Sequence, residues 1–96
     1  MIIEPQRFLG HIPKFPLGRI IVTENVRMRI APEVILPSLF RHSAGDWHDD
    51  ELIANQLGLI HSNRIVSKHI DRFGSVFFIV TNQERSETVV GLPEDR

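Results

Sequence analysis

The chain has 96 residues, of which 42% are hydrophobic and 24% are charged. This composition is typical of one small globular domain and too apolar for a disordered segment. Because there is no cysteine, disulfides, cysteine-based zinc sites and thiol nucleophiles are excluded, and the formal net charge of -1 argues against non-specific binding to nucleic acid.

The N-terminal residues combine Pro5, Pro13 and Pro16 with scattered apolar side chains. Prolines at this spacing prevent a long helix, and no apolar run reaches the length of a signal peptide or a membrane span. We therefore expect residues 1–16 to form an irregular arm beside a single domain of residues 17–96, in a cytoplasmic protein.

The next segment predicts a strand followed by an ambiguous element. Residues 18–23, GRIIVT, form a β-branched run that indicates a strand buried on both faces. In residues 24–30, ENVRMRI, apolar residues alternate with polar ones as in a half-buried strand, whereas Thr23 is a suitable N-cap for a helix that begins at Glu24. Both remain open, although the periodicity favours the strand.

Residues 31–42, APEVILPSLFRH, predict a short helix. Pro32 suits the first helical position, Gly45 suits the position after the helix, and Pro37 should kink or restart it. The apolar residues at helical spacing, which should share one face, are Ile35, Leu36, Leu39 and Phe40.

The stretch RHSAGDWHDDE, residues 41–51, is the richest in polar chemistry. It is explained most simply as a corner between two helices, in which Asp46 or Asp49 caps the second helix and the acids that follow interact with its dipole. Trp47 would pack the two helices together. The second helix should bury Leu52, Ile53, Gln56 and Leu57 and end at Gly58.

From residue 63 onwards the hydrophobic period changes to two, which indicates strands. In RIVSKHI, residues 64–70, Val66 and Ile70 form an apolar face opposite a largely polar one. The turn DRFG leads to SVFFIVT as an inner strand, and ETVVGL returns after the loop NQERS as its hairpin partner. The sequence therefore predicts an α+β fold: an N-terminal strand, two short helices, and a three-stranded antiparallel meander packed against the helices.

A metal site would need histidine and carboxylate ligands, and His42, Asp46 and His48 lie close together in the sequence, with Asp49 or His61 available to complete a set. The spacing is not that of a His-Glu-x-x-His helix, and no regular element makes His42 and His48 converge. We expect neither a metal nor a cofactor.

Catalytic motifs are absent from the sequence, which has no Gly-x-Ser-x-Gly elbow and no glycine-rich phosphate loop. A small ribonuclease site could still be built from His69, Lys68 and Arg72 on a sheet edge, with Arg85 and Ser86 presented by the next hairpin loop. Alternatively, Arg85 could bind a carboxylate or phosphate, or form a salt bridge to the acidic helix start.

Several stretches together resemble a family of small bacterial proteins, mostly described as hypothetical or plasmid-related. The resemblance covers roughly residues 17–93 and is carried by LGRIIVT, LFRHSAGDWHDD, Asn55, RIVS and FFIVTNQERSETVVGLP. The family pattern has glycine at the position of His48, acids at those of Asn82 and Glu84, and threonine at that of Val89. The resemblance implies a helix after the first strand and a bacterial or mobile-element setting, and it carries no established activity.

These observations favour a small mobile-element protein that acts by binding another protein, such as a component of host defence or a toxin, and not by catalysis. The alternatives are a RelE/ParE-like ribonuclease toxin that uses the acid–base set above, and a nucleic-acid adaptor that uses Arg64, Lys68 and Arg72. A homodimer could form through a sheet edge. The side chains expected in the binding site are His42, Asp46, Trp47, Arg85, Ser86 and Thr88.

Overall fold

The computed structural model describes residues 13–95, which form a four-stranded sheet and three α-helices. The elements are β1 (Arg19–Val22), α1 (Glu24–Arg29), α2 (Pro32–Ala44), α3 (Asp49–His61), β2 (Ile65–Ile70), β3 (Val76–Thr81), β4 (Glu87–Gly91) and a 3-10 turn at Pro93–Asp95. The predicted α+β class is confirmed. Most of the arm predicted for residues 1–16 lies outside the described residues.

The strand order in the sheet is β1-β4-β3-β2. Strands β2, β3 and β4 form the predicted antiparallel meander, with Ser67 opposite Ile79, whereas β1 pairs in parallel with β4, with Ile20 opposite Thr88. The consecutive strands β1 and β2 lie at opposite edges of the sheet, so a long connection must cross the sheet between them. The three helices form this connection. β1 is therefore an edge strand with Arg19 exposed, and the prediction that it is buried on both faces is wrong.

Residues 24–29 form helix α1, so the strand interpretation of this segment is wrong. The hydroxyl of Thr23 accepts a hydrogen bond from the backbone N–H of Val26 at 3.2 Å and caps the helix. Val26 is the residue that α1 buries, while Met28 is 77% exposed. The cap at Thr23 therefore predicts this segment better than the alternation of apolar and polar residues does. The helix is short and buries only Val26, so it needs no apolar stripe.

Helix α2 confirms most of its prediction. It has Pro32 in its first turn, and it ends before Gly45, whose φ of 81° is left-handed. The helix runs on through Pro37 instead of restarting there. On its predicted inner face Leu39 is fully buried, whereas Leu36 is 38% exposed.

Helix α3 turns a different face to the core from the predicted one. Ile53 and Leu57 are 70% and 47% exposed, and Gln56 is exposed as well, whereas Asn55 and Gly58 are buried. The predicted stripe is thus wrong by part of a turn, because the helix presents its smallest residue and an amide to β2.

The ends of α3 also differ from the prediction. His48 occupies the N-cap position without a side-chain hydrogen bond, so neither Asp46 nor Asp49 caps the helix. The helix continues past Gly58, where an added Cβ would lie 2.8 Å from the side chain of Ile65. Glycine at this position permits close packing against β2 and does not end the helix.

The face of β2 that the helices cover is the polar one. Ile65, Ser67 and His69 are buried, whereas Val66 is half-buried and Ile70 is 58% exposed. The prediction that Val66 and Ile70 form the inner face is therefore wrong. Alternation identifies the two faces of a strand, but hydrogen bonding inside the fold decides which polar residues can be buried.

The core lies between this face of the sheet and the helices, and the segment before β1 contributes to it. Phe15 and Leu17 are 5% and 1% exposed, and the backbone N–H of Lys14 donates to the carbonyl of Ser43 at 2.7 Å. The packed domain thus reaches back to residue 14. No helix within the described part of the chain combines the length and the apolar character needed to cross a bilayer.

Candidate functional site

Five polar side chains form one continuous hydrogen-bonded row through the core, here called the polar row. Its members in order are His69, Ser67, His42, Thr81 and Thr88, each at most 7% exposed. Successive donor–acceptor distances are 2.7, 2.6, 2.9 and 2.7 Å. The row therefore links helix α2 to the three strands β2, β3 and β4.

The carbonyl of Leu17 fixes the direction of these bonds. This oxygen can only accept, so the hydroxyl of Thr88 donates to it, at 2.7 Å. The hydroxyl of Thr81 must then donate to Thr88. With that hydrogen used, Thr81 can only accept from His42, whose proton is therefore on Nε2.

The same reasoning continues at the other ring nitrogen. Because burial favours the neutral imidazole, which carries a single proton, Nδ1 of His42 has none and accepts from the hydroxyl of Ser67. The oxygen of Ser67 then accepts from the Nε2–H of His69. Every bond in the polar row is thus satisfied with both imidazoles neutral, which is the form that burial favours.

The pKa values of the two histidines agree with this assignment. Burial, with smaller contributions from the charges of His69 and Arg85, lowers the pKa of His42 from 6.5 to about 3. Burial, followed by the charges of Arg41 and His48, lowers the pKa of His69 to about 4. Protonating either imidazole would place a charge in a largely desolvated site.

Ser67 and His42 have the contact geometry of a nucleophile and its base, but their surroundings oppose that chemistry. A general base works best with a pKa near the working pH, and the pKa of His42 is far below neutrality. Thr81, and not a carboxylate, orients the ring, and Ser67 is only 1% exposed. The polar row is better suited to fixing the packing of the core than to covalent catalysis.

Trp47 lies in the corner between α2 and α3, as predicted. It is 9% exposed, its Nε1–H donates to the carbonyl of His42 at 3.1 Å, and its ring stacks on Phe15 with centroids 6.4 Å apart. Asp46 is exposed while His42 turns inward, so the two do not face a common ligand. Within residues 13–95, no three or more His, Cys, Asp or Glu side chains are arranged to hold a metal ion.

The outer end of the polar row opens into a pocket of about 280 Å³, here called the corner pocket. Glu51 lies in its wall, with one carboxylate oxygen accepting from the N–H of Lys68 at 2.8 Å and the other without a hydrogen-bond partner. Burial raises the pKa of Glu51. The residues that line the pocket are Arg41, Asp46, Trp47, His48, Glu51, Ser67, Lys68, His69 and Ile70.

The basic residues proposed for nucleic-acid binding do not form an uninterrupted cationic face. Lys68 lines an open depression together with the acidic residues Asp49, Asp50 and Glu51. A phosphate approaching Lys68 would therefore meet three carboxylates as well. This arrangement does not favour the adaptor alternative.

The side chain of Arg85 forms hydrogen bonds at the C-terminal end of helix α3. Its guanidinium donates to the carbonyls of Asn63, Gly58 and Asn82 at 2.7, 3.1 and 2.9 Å, and it lies 5.5 Å from the ring centroid of Phe15. The cation therefore satisfies carbonyls at the negative end of the helix dipole. It does not project freely from the loop, as the ribonuclease and anion-binding predictions require, and it does not reach the acidic helix start.

The structure does not assemble the predicted acid–base set. His69 is in the core, Arg72 is at the β2–β3 turn, and Arg85 contacts α3. Ser86 accepts a hydrogen bond from the side-chain amide of Asn82 at 2.9 Å. Of the predicted binding residues, His42 and Thr88 belong to the polar row and Asp46 and Trp47 to the corner pocket.

Sequence reasoning missed Ser67 and Thr81 as members of the polar row. The available signal was that each is a small polar residue at an alternate position of a period-two strand: Thr81 follows Phe77 and Ile79 on one face, and Ser67 lies between Ile65 and His69. Which face is inward follows from packing, so the signal becomes readable only with the fold.

A second surface feature is a groove of about 280 Å³ beside the β2–β3 turn, here called the hairpin groove. Phe73 at the turn is 78% exposed and Ile70 is 58% exposed. The turn is well defined, because one carboxylate oxygen of Asp71 accepts from the N–H groups of Phe73 and Ser75. The residues that line the groove are Arg29, Ala31, Glu33, Val34, Ile70, Asp71, Arg72 and Phe73.

Comparison of the chain with protein-family models, with curated proteins and with solved structures gives no match. The resemblance to small plasmid-related bacterial proteins therefore stays a prediction.

Proposed function

We propose that this protein acts by binding another protein at the hairpin groove. The observation that carries the proposal is Phe73, a large aromatic side chain that is 78% exposed on a rigid turn. Exposed aromatic and aliphatic residues clustered beside a concavity are typical of contact sites and dominate the binding energy of many interfaces.

The size and charge of the groove indicate the chemistry of the partner. Its volume of about 280 Å³ is at the lower end of the range for ligand sites and is large enough for one apolar side chain. The guanidinium of Arg72 lies 5.0 Å from the ring centroid of Phe73. Glu33 and Asp71 also line the groove, but neither forms an ion pair with Arg72, and the carboxylate of Asp71 accepts from backbone N–H groups of the turn. We therefore propose a partner segment with an apolar residue next to an aspartate or glutamate.

A random peptide library displayed on phage tests this proposal, because the selection requires only the protein itself as bait. Selection on the wild-type protein should enrich peptides that combine an apolar residue with an adjacent acid. These peptides should bind the Phe73→Ser and Arg72→Glu variants at least about tenfold more weakly, because the anchor or the charge is lost. Binding to a Met28→Ser variant, which removes an equally exposed apolar side chain that does not line the groove, should be unchanged.

Two outcomes would count against the proposal. One is a failure of the selection to enrich any consensus. The other is a consensus whose binding is insensitive to Phe73→Ser, in particular one that is lost when the corner pocket is changed by Lys68→Glu, which would move the binding site to that pocket.

A further inference from the structure

Helix α3 carries an apolar stripe on its outer face. Ile53, Leu57 and Ile60 are 70%, 47% and 73% exposed. At spacings of four and three residues they lie on one side of the helix, opposite the Asn55 and Gly58 side that packs on β2. Three large apolar side chains along one solvent-facing stripe are more than isolated exposure would give.

The charges at the two ends of this stripe have opposite sign. Asp49 and Asp50 lie at the start of α3, while His61 and Arg64 lie at and just beyond its end, and all four are exposed. No ion pair within the described residues involves Asp49, Asp50 or Arg64. One end of the stripe therefore has an excess of acids and the other an excess of bases.

We infer that the stripe binds a second copy of this chain, with the two α3 helices antiparallel about a two-fold axis. The midpoint of the apolar stripe falls between Gln56 and Leu57. An axis there places Ile53 of one copy against Ile60 of the other. It also places Asp49 against Arg64 and Asp50 against Asn63. The same patch serves both copies, as a two-fold interface requires, and antiparallel helix dipoles attract each other.

The edge of β2 offers a poorer route to a dimer. The side chain of Asn55 donates to the carbonyl of Val66 at 2.8 Å and accepts from its N–H at 3.2 Å, and Glu51 accepts from the N–H of Lys68. These side chains occupy the backbone groups that another strand would use. Self-association through α3 uses a surface separate from the hairpin groove, so it does not depend on the proposed function.

An interface made by one helix from each copy is small. It lies at or below the lower limit of roughly 1,200 Å² for standard specific interfaces, so we expect weak dimerisation that depends on protein concentration. Sedimentation velocity from about 1 μM to about 1 mM protein should show the mass rising from one chain towards two.

The apolar part of the interface is tested by Ile53→Ser and Ile60→Ser. Each should weaken dimerisation at least about tenfold, because a desolvated apolar contact is lost twice in each dimer. Met28→Ser, at an equally exposed apolar residue outside α3, should leave the dimerisation constant unchanged. Circular dichroism melts confirm that each variant is folded. Equal dimerisation of all variants would place the contact elsewhere, and a monomer at every concentration would overturn the inference.

The antiparallel geometry is tested by reversing the charge at either end. Asp49→Lys and Arg64→Glu should each weaken self-association about tenfold, because residues 49 and 64 of the two copies then carry like charges at both ends. A mixture of these two variants should form a heterodimer of about wild-type affinity, since every facing pair is again opposite in charge. Failure of the mixture to associate, with wild-type dimers intact, would exclude the antiparallel arrangement.

Discussion

At the scale of single residues, the polar row is the feature that most distinguishes this core. A buried imidazole is tolerated only if its donors and acceptors are all matched, and the carbonyl of Leu17 sets the matching for the whole row. Because both histidines are buried in the neutral form, the free energy of unfolding should depend on pH. Because each hydroxyl of the row pairs with a buried group, removing one hydroxyl should also lower the free energy of unfolding.

We expect the protein to lose stability in mild acid. The pKa values of His42 and His69 are about 3 and about 4 in the fold, against about 6.5 when unfolded. Above pH ~6.5 both states are neutral and the histidines make no difference. Below it the unfolded chain binds more protons, so the free energy of unfolding should fall by about 3 kcal/mol between pH ~7 and ~5.

Urea denaturation at a series of pH values measures this fall. A free energy of unfolding that stays constant from pH ~7 to ~5 would contradict neutral, buried imidazoles.

Replacing Thr81 by valine should destabilise the protein by about 1–3 kcal/mol. The substitution preserves the shape of the side chain but leaves the Nε2–H of His42 without an acceptor in the core. Ser38→Ala is the matched control: Ser38 is equally buried, but its hydroxyl donates to the carbonyl of Val34 in its own helix. Chemical denaturation should show a smaller loss for this variant, and equal losses would argue against the polar row.

At the scale of elements, side chains of helix α3 form hydrogen bonds with the outer edge of strand β2. Asn55 and Glu51 of the helix hydrogen-bond to outward backbone groups of β2, and the carbonyl of Gly58 near its C-terminus accepts from Arg85 of the β3–β4 turn. This explains why the inner face of α3 is not its most apolar face. The helix is oriented by these polar contacts and by the close approach of Gly58, which leaves its apolar stripe in solvent.

Replacing Asn55 by leucine should cost about 2 kcal/mol, because it removes two hydrogen bonds and leaves the backbone groups of Val66 unpaired. Hydrogen exchange of the Val66 amide should accelerate at least about tenfold. Gln56→Leu makes the same change at the exposed neighbouring residue and should shift stability by less than about 0.5 kcal/mol. If both variants were equally stable, α3 would not be protecting the edge of β2.

At the scale of the whole molecule, the segment before β1 joins parts that are far apart in sequence. Phe15 contacts the ring of Trp47 at the helical corner, the edge of His42, and the guanidinium of Arg85 from the β3–β4 turn. In the sheet, the parallel pairing of β1 with β4 likewise joins the first strand to the last. The described domain therefore depends on contacts between its two ends.

Phe15→Ala should destabilise the protein by about 3 kcal/mol, the usual cost of removing a buried aromatic ring. The same substitution should expose Trp47 and shift its fluorescence maximum to longer wavelength. Phe73→Ala removes an exposed ring and should change neither quantity appreciably. An unaltered emission spectrum in Phe15→Ala would mean that the ring does not shield the indole.

The sequence by itself determined the elements whose signals are local. The meander, the turn at Gly74, the end of α2 at Gly45 and the corner at Trp47 follow from period-two alternation, glycine and aromatic placement, which depend on few neighbours. The α+β class follows from their order. The candidate residues His42 and Trp47 were recognisable, although their roles were not.

Only the tertiary structure decided which faces are inside. The polar face of β2 is buried because α2 places His42 between Ser67 and Thr81, a match of donors and acceptors that no local pattern encodes. The buried side of α3 likewise follows from the edge of β2, since Asn55 satisfies its backbone groups better than a leucine would. Hydrophobic pattern gives the period of an element, and the hydrogen-bond needs of its neighbours give its orientation.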